Sequence, residues 1–460
     1  MAKKASDARA LFVGVDIGGT KIQATLATGL GEIRESKRVA TPREGGSEPI
    51  LTAIKQAVEE VVRSAGVTLR DIAAIGVGVP GVTDFNRGEV VVTPNMGLGR
   101  FALGPYLENY FKVPVVVEND CNLGTFGECW LGAGQGAESV FGIFVGTGIG
   151  GGFVRKRKIW RGARKAAGEV GHIVMELNGP LCGCGNRGCL EALASRSAVE
   201  RQIREAISQG RSSVLAEAVN QGAEVIRSKM LRNAVQEGDG LVAEVLTKAA
   251  EYIGAACLTV RHLFDPEVIV LGGGLMEACH EFMMPIIERI WASDRLPGAS
   301  GTSRVALSTL EDDAVVLGAV ALAAQKAGFK PFRSVGCHRP VYAAIEVPAF
   351  GVVRVGNKTY ARDVYILADG RVCKRKKKLL RRFGVSSHLV CVEELRFACD
   401  PKPEVLFIGI GHSGQVVLGP GCEDYLRGEG ITYHLIPTSQ LAEAYNNCAA
   451  RKAAIVHVTC

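Results

Sequence analysis

Short apolar runs, each closed by a glycine turn, alternate with longer amphipathic stretches through residues 11–328. The first run, LFVGVD (11–16), leads into the turn IGGTK and a second run, IQATLA, which predicts a β-hairpin. The pattern returns at 140–154 as VFGIFVGTGIGGGFV, so an internal duplication is expected. Between the copies the periodicity predicts a helix over 49–64, a strand over 72–79, the loop PGVTDFNRGEVVVTPN, and a strand over 113–118 ending in Asn119-Asp120. From 195 to 264 the pattern is helical. The strand EVIVLGGGL follows, then more helix, with a last helix over 313–327.

At 328–340 (GFKPFRSVGCHRP) the alternation lapses, and a linker is expected. The remainder has its own rhythm. FGVVRVGNKTYARDVYILADGRV reads as short strands turning at Gly-Asn and Asp-Gly. EVLFIGIG, ITYHLIP and AAIVHV read as further strands, and 439–450 as a helix, so a separate small α/β domain is expected.

A chain of 460 residues is too long for one core, which predicts two to four domains. Its 47% hydrophobic and 22% charged residues are ordinary for a globular protein. No apolar run reaches membrane-spanning length. The opening MAKKASDARA lacks the apolar core and cleavage site of a signal peptide. No membrane partner is expected, and the expected compartment is cytoplasmic. Disulfides are rare there, so the 14 cysteines read as thiols and metal ligands. The formal charge of +7 is concentrated in KRKKKLLRR (374–382). Few aromatics stand near it to stack on bases, so it reads as a solvated loop and nucleic acid is not an expected partner.

The densest chemistry lies in GHIVMELNGPLCGCGNRGCLE, where His172, Cys182, Cys184 and Cys189 are spaced His-x9-Cys-x-Cys-x4-Cys. One imidazole and three thiolates are a tetrahedral zinc set, and glycines 183, 185 and 188 let the backbone turn tightly enough to gather them. Glu169 and Glu191 flank the cluster. In the first glycine turn, Gly18 and Gly19 let backbone N–H groups approach a phosphate, Thr20 and Lys21 can donate to its oxygens, and Asp16 can position Mg²⁺. The second turn, Gly146-Thr147-Gly148, would close on a triphosphate from the other half. Gly272-Gly273-Gly274 after EVIVL would let the backbone approach an adenosine. Asp120, at the carboxyl edge of a strand, either takes a proton from an attacking hydroxyl or caps the helix that follows.

Taken in order, DIGGTK (16–21), GVGVPGVTD (76–84), PN (94–95), VENDCN (117–122), GTGIGGG (146–152), EVGH (169–172), CGCGNRGCLE (182–191) and VLGGGL (270–275) resemble the ROK family of repressors, open reading frames and sugar kinases. The resemblance implies a duplicated actin/hexokinase-like (ribonuclease H-like) α/β fold of two lobes about a central cleft. Residues 1–118 plus 311–328 would form one lobe, 119–310 the other, 329–341 a linker, and 342–460 the extra domain. It implies phosphorylation of a hexose at its 6-hydroxyl by ATP with Mg²⁺, glucose first. The alternatives are N-acetylmannosamine or N-acetylglucosamine, or a non-catalytic sugar sensor or scaffold. Asp120 then resembles the general base. Asn119, Glu169, His172 and Glu191 resemble sugar-hydroxyl ligands, with Gly81 and Asn95 lining the pocket. His172 would face zinc with one nitrogen and the sugar with the other, making the zinc structural. Leu98 stands where many members have an aromatic. About ten residues precede the first strand, too few for the repressors' helix-turn-helix. A homodimer or tetramer is implied as well.

The C-terminal region resembles the small α/β domain of the adipogenesis-associated domain-containing protein family. FGVVRVGNKTYARDVYILADGRV (350–372), EVLFIGIGHSG (404–414), Tyr445-Asn446 and the final HVTC carry that likeness. It implies a protein partner and no defined chemistry. The IGIGHSG turn reads as an ordinary tight turn, and His412 and Cys460 are not assigned catalytic roles.

Overall fold

The structure is a computed structural model of the chain. It describes residues 10–334 except 43, 94–98, 224 and 297–302, and residues 342–458 except 357, 369, 371, 376–387, 400–401, 412–413 and 449. Asn95, Leu98, His412 and Cys460 therefore lie outside the described residues. The chain divides into two compact units, Met1–Cys337 and His338–Cys460. Among the described residues, no helix is long and apolar enough to cross a membrane.

The first unit is built on two five-stranded sheets of one topology. β1 (Leu11–Ile17), β2 (Lys21–Thr28), β3 (Ile33–Ala40), β4 (Ile72–Val79) and, after the small hairpin β5 (Val82–Asp84) and β6 (Glu89–Val92), β7 (Val115–Asn119) form the order β3-β2-β1-β4-β7. β8 (Ser139–Val145), β9 (Ile149–Arg155), β10 (Lys158–Ile159), β11 (Val268–Gly272) and β12 (Arg304–Leu307) form β10-β9-β8-β11-β12. In each sheet the first three strands are antiparallel and the last two join in parallel. The duplication read from the two glycine hairpins thus extends to the whole sheet.

Two helices fill the space between the sheets. Asp120–Leu131 packs on the second sheet and Ala314–Lys326 on the first, and the two pack on each other. Their approach demands glycine: a Cβ on Gly318 would sit 1.9 Å from the Leu123 carbonyl, and one on Gly127 2.2 Å from that of Ala314. Phe12 and Ala74 from one sheet, Val140 and Val270 from the other, and Phe126 and Trp130 between them share one core. Alternate residues of β1, Val13, Val15 and Ile17, turn to the opposite face under Ser47–Ser64 and Leu103–Phe111. The outer face of the second sheet is covered by Gly240–Phe264 and Gly274–Ala292.

Several expectations need correction. Among its described residues, the stretch expected to be helical from 195 to 264 is four helices, Arg196–Ser208, Ala216–Asn220, Ser228–Gln236 and Gly240–Phe264. Gly210, Gly222 and Gly238 stand at positive φ in the breaks. The expected linker begins too early: Phe329 packs edge-on against Phe12, Phe332 against Phe126, and the Trp130 indole donates to the Pro331 carbonyl at 3.2 Å.

The second unit holds the antiparallel trio β13 (Ile345–Ala349), β14 (Val352–Val355) and β15 (Lys358–Tyr360). Its main sheet is formed by β16 (Val364–Ile366), β17 (Val372–Lys374), β19 (Val405–Gly409), β21 (Thr432–Ile436) and β22 (Lys452–Val456), in the order β17-β16-β22-β19-β21. β18 (Leu389–Val390) pairs with β20 (Val417–Leu418). One more correction falls here. The basic run was expected to be solvated throughout, yet Arg375 is fully buried. Its Nε and Nη2 reach the two Glu394 oxygens at 2.7 and 3.1 Å, and its Nη1 lies 3.1 Å from His457 Nδ1. Lys374 is exposed, and 376–382 lie outside the described residues.

Candidate active site

β1 and β7 both end at the same edge of the first sheet, so Asp16 and Asp120 arrive as neighbours. The capping role left open for Asp120 falls to its neighbour. Asn119 is the N-cap, its Oδ1 accepting the Asn122 amide at 2.9 Å, and Asp120 is the first helical residue. Asp120 Oδ1 accepts from the Cys121 amide at 2.8 Å and from Asn119 Nδ2 at 3.1 Å. Lost solvation raises the Asp120 carboxyl, against the pull of the Cys121 amide. The half-buried Asp16 is pushed up to about 7, first by lost solvation and then by the charge of Asp120.

Asn119 has little freedom in this state. Besides Asp120, its Nδ2 donates to the Gly81 carbonyl at 3.0 Å, which ties the β4–β5 turn to the carboxyl end of β7. Donating to a sugar oxygen would require exchanging one of these bonds, whereas Oδ1, which accepts only the Asn122 amide among the described residues, keeps a lone pair for a sugar hydroxyl. Glu169 lies within electrostatic reach of Asp120, His172 and Glu191, so it links the expected sugar ligands His172 and Glu191 to Asp120. Glu191 opens the short helix Leu190–Ala194, and its Oε2 accepts the Ile149 amide at 2.9 Å. A Cβ on Gly148 would lie 2.3 Å from that oxygen, so this glycine makes room for Glu191.

The four candidate zinc ligands converge. Around a tetrahedral zinc with Zn–S of about 2.3 Å, neighbouring ligand atoms stand roughly 3.5–3.8 Å apart. Cys184 and Cys189 Sγ are 3.7 Å apart, and Cys182 Sγ is 3.7 Å from His172 Nδ1. All four ligand atoms lie within 4.8 Å of one another. Nδ1 is thus the nitrogen on the thiol side, which leaves Nε2 for another partner. Gly188, at φ +71°, is indispensable to the loop, since a Cβ there would strike the Glu176 carbonyl at 1.6 Å.

The glycine turns divide by role. Gly19 and Thr20 are exposed, and a Cβ on Gly19 or Gly146 would meet nothing within 4 Å. The exposed Thr147 has its hydroxyl bonded by Arg196 at 3.0 Å. Gly272 and Gly273 are required by packing as well. A Cβ on Gly272 would press the Phe144 ring at 2.9 Å, and one on Gly273 the Val145 backbone at 2.7 Å. Gly274 has open space and begins a 19-residue helix, whose N-terminus favours anions. Lys21 Nζ, expected on phosphate, rests 2.7 Å from Asp312 Oδ2, which Arg38 also meets at 3.1 Å.

Residues with no assigned role in the sequence complete the site. Fully buried Glu128 accepts from Ser308 Oγ at 2.6 Å, the Leu310 amide at 2.9 Å and the Ala133 amide at 2.7 Å. It thereby fixes the turn that delivers Asp312 to Lys21. Glu118 Oε2 accepts from Arg161 Nε at 2.6 Å. Glu118 stood in the VENDCN motif without a role, and nothing local marked Arg161.

The sequence model of the ROK family matches residues 12–326. A glucokinase of Halalkalibacterium halodurans is 34% identical over 308 residues, 67% of this chain and 93% of its own length. A putative xylose repressor of a Caldicellulosiruptor species is 31% identical over 314 residues, 68% of this chain and 77% of its own. The crystal structure of a ROK family glucokinase from Streptomyces griseus, in complex with glucose and AMPPNP, superposes with a TM-score of 0.61 at 33% identity. That match covers 68% of this chain and 99% of the other.

Proposed function

The chain belongs to the ROK family, and from that premise we propose that it phosphorylates a hexose at the 6-hydroxyl with ATP, glucose being the first substrate. The observation that carries the proposal is the state of Asp120. Asn119 has relieved it of capping, lost solvation raises its basicity, and it lies within electrostatic reach of Glu169. A general base must sit within reach of the hydroxyl it serves and have a pKa near the working pH.

In this mechanism Glu169, His172 Nε2, Glu191 and, at the end of β7, Asn119 hold the sugar hydroxyls, with Gly81 lining the pocket. Asp120 takes the proton of the 6-hydroxyl as its oxygen attacks the terminal phosphorus. Phosphoryl transfer needs mainly alignment and charge neutralisation. The amides of the turns at 18–20 and 146–148, Thr20, Lys21 and the helix end at Gly274 supply both. Asp16, pressed by Asp120 while Lys21 leans on Asp312, suits a divalent cation and would hold Mg²⁺, which supplies further neutralisation when bound. His172, Cys182, Cys184 and Cys189 would hold Zn²⁺, fixing the loop that presents His172 and Glu191. For the second unit we keep the likeness to the adipogenesis-associated domain-containing family and a protein-docking role.

The test is coupled ADP release with Mg-ATP across glucose, mannose, fructose, allose, N-acetylglucosamine and N-acetylmannosamine. Strong turnover on glucose is expected. Turnover confined to an N-acetyl sugar would change the substrate, and silence on all six with sugar binding intact would make the protein a sensor.

A further inference from the structure

One loop of the second lobe grips the first lobe beside the base. Arg161 follows β10, and its guanidinium carbon lies 3.9 Å from the centre of the Phe85 ring, just past β5. Its Nε donates to Glu118 on β7 at 2.6 Å, a carboxylate only 2% exposed. Four residues on, Lys165 pairs with Asp84 of β5. The Ala167 amide returns to the Arg161 carbonyl at 3.2 Å, closing the loop just before Glu169 and His172.

The other oxygen of Glu118 shows what is gripped. Oε1 accepts the Asn119 amide at 3.0 Å and Asn122 Nδ2 at 3.1 Å, one residue on either side of Asp120-Cys121. The carboxylate therefore fixes the backbone that aims Asp120, while Arg161 fixes the carboxylate. Buried ion pairs set geometry at the expense of desolvation, and removing one partner leaves the other without compensation. A charge-assisted bond this short in a half-shielded setting is a strong directional restraint.

We infer that Arg161 is a positioning residue. It locks Glu118, on β7 of the first sheet, to the loop after β10 of the second, and so registers Asn119 and Asp120 at the end of β7 with Glu169 and His172. The inference rests on Asp120 being the base. Misplacement of a reacting group by about 1 Å costs on the order of 10²-fold in rate. Methionine at 161 keeps an unbranched stem against Phe85 and loses the charge, whereas lysine keeps the charge.

The experiment compares wild type, Arg161→Met and Arg161→Lys in kcat, in KM for glucose and ATP, and in hydrogen exchange at the Asn119 amide without ligands. Arg161→Met is expected to lose roughly 10–100-fold in kcat with the ATP KM within about twofold. Its Asn119 amide should exchange at least about tenfold faster, and Arg161→Lys should recover most of both. An Arg161→Met variant within about threefold of wild-type kcat and with unchanged exchange overturns the proposal, as does a lysine variant damaged equally. If wild type turns over no sugar, the kinase reading fails by itself and the exchange arm still decides the latch. If Arg161→Met does not fold, Arg161→Gln takes its place, since it leaves the Glu118 acceptor of the Asn119 amide untouched: faster Asn119 exchange supports the latch, and unchanged exchange refutes it.

Discussion

Replacing Glu128 by glutamine should destabilise the first unit although it changes one atom. Glu128 has no solvent exposure, and it receives Ser308 Oγ and the Thr309 and Leu310 amides on one side and the Ala133 amide on the other. Glutamine retains a single acceptor oxygen. Turned toward Ser308 and Leu310, its NH₂ faces the Ala133 N–H; turned the other way, it faces the donors of the 308–310 turn. Either choice strands at least one buried donor, sets N–H against N–H, and loses the charge that strengthened the remaining bonds. The cost is about 2–4 kcal/mol. A unit spanning Met1–Cys337 has an unfolding entropy of about 0.7 kcal/mol/K, so its melting temperature should fall by roughly 3–6 °C. Scanning calorimetry of the full chain measures this, with Ser308→Ala as a control expected to fall by about 1–2 °C. A Glu128→Gln variant melting within about 1 °C of wild type would show that the carboxylate does not hold the turn.

Asp120→Asn should lose roughly 10²–10⁴-fold in kcat while glucose affinity by titration calorimetry changes little, because the amide can still accept from Cys121; near-normal turnover would remove Asp120 as base. Because lost solvation raises the Asp120 carboxyl and the base works deprotonated, kcat/KM should rise with pH along a limb lying above the ordinary carboxylate range; a profile flat from pH 4 upward contradicts this. Cys184→Ser should lose zinc and glucose affinity together, so unchanged zinc by elemental analysis breaks the metal assignment. Arg375→Met leaves Glu394 buried without its partner and should cost the second unit about 3–5 kcal/mol, with sugar kinetics unchanged; an unaltered melting profile would contradict it.

Where a role is written in consecutive residues, the sequence could be read. The two hairpins announced the duplicated sheets because glycine turns and apolar strands are local, and His172 and the three cysteines are close enough in sequence to mark the loop in which their ligand atoms converge. What escaped depended on partners far along the chain. β3, IRESKRVA, is a charged edge strand with little buried surface, so its apolar signal is faint. Glu118 meets Arg161 43 positions away and Glu128 meets Ser308 180 away, and no local pattern pairs them. Arg375 shares its run with exposed Lys374, and only the fold brings Glu394 to it. The sequence reads Asn119 as a sugar ligand and Asp120 as either a base or a cap. A one-residue difference in where the helix begins assigns the cap to Asn119, and such boundaries are the least legible feature of a sequence.

The central claim is that Asp120 delivers a sugar oxygen to the terminal phosphorus of ATP. Phosphorus–proton correlated NMR of the reaction with glucose and Mg-ATP tests it most directly. The account predicts one new phosphomonoester whose phosphorus couples to the two protons on carbon 6, formed by wild type and nearly absent with Asp120→Asn. Inorganic phosphate as the only product, or a phosphoester formed equally by both proteins, would contradict it.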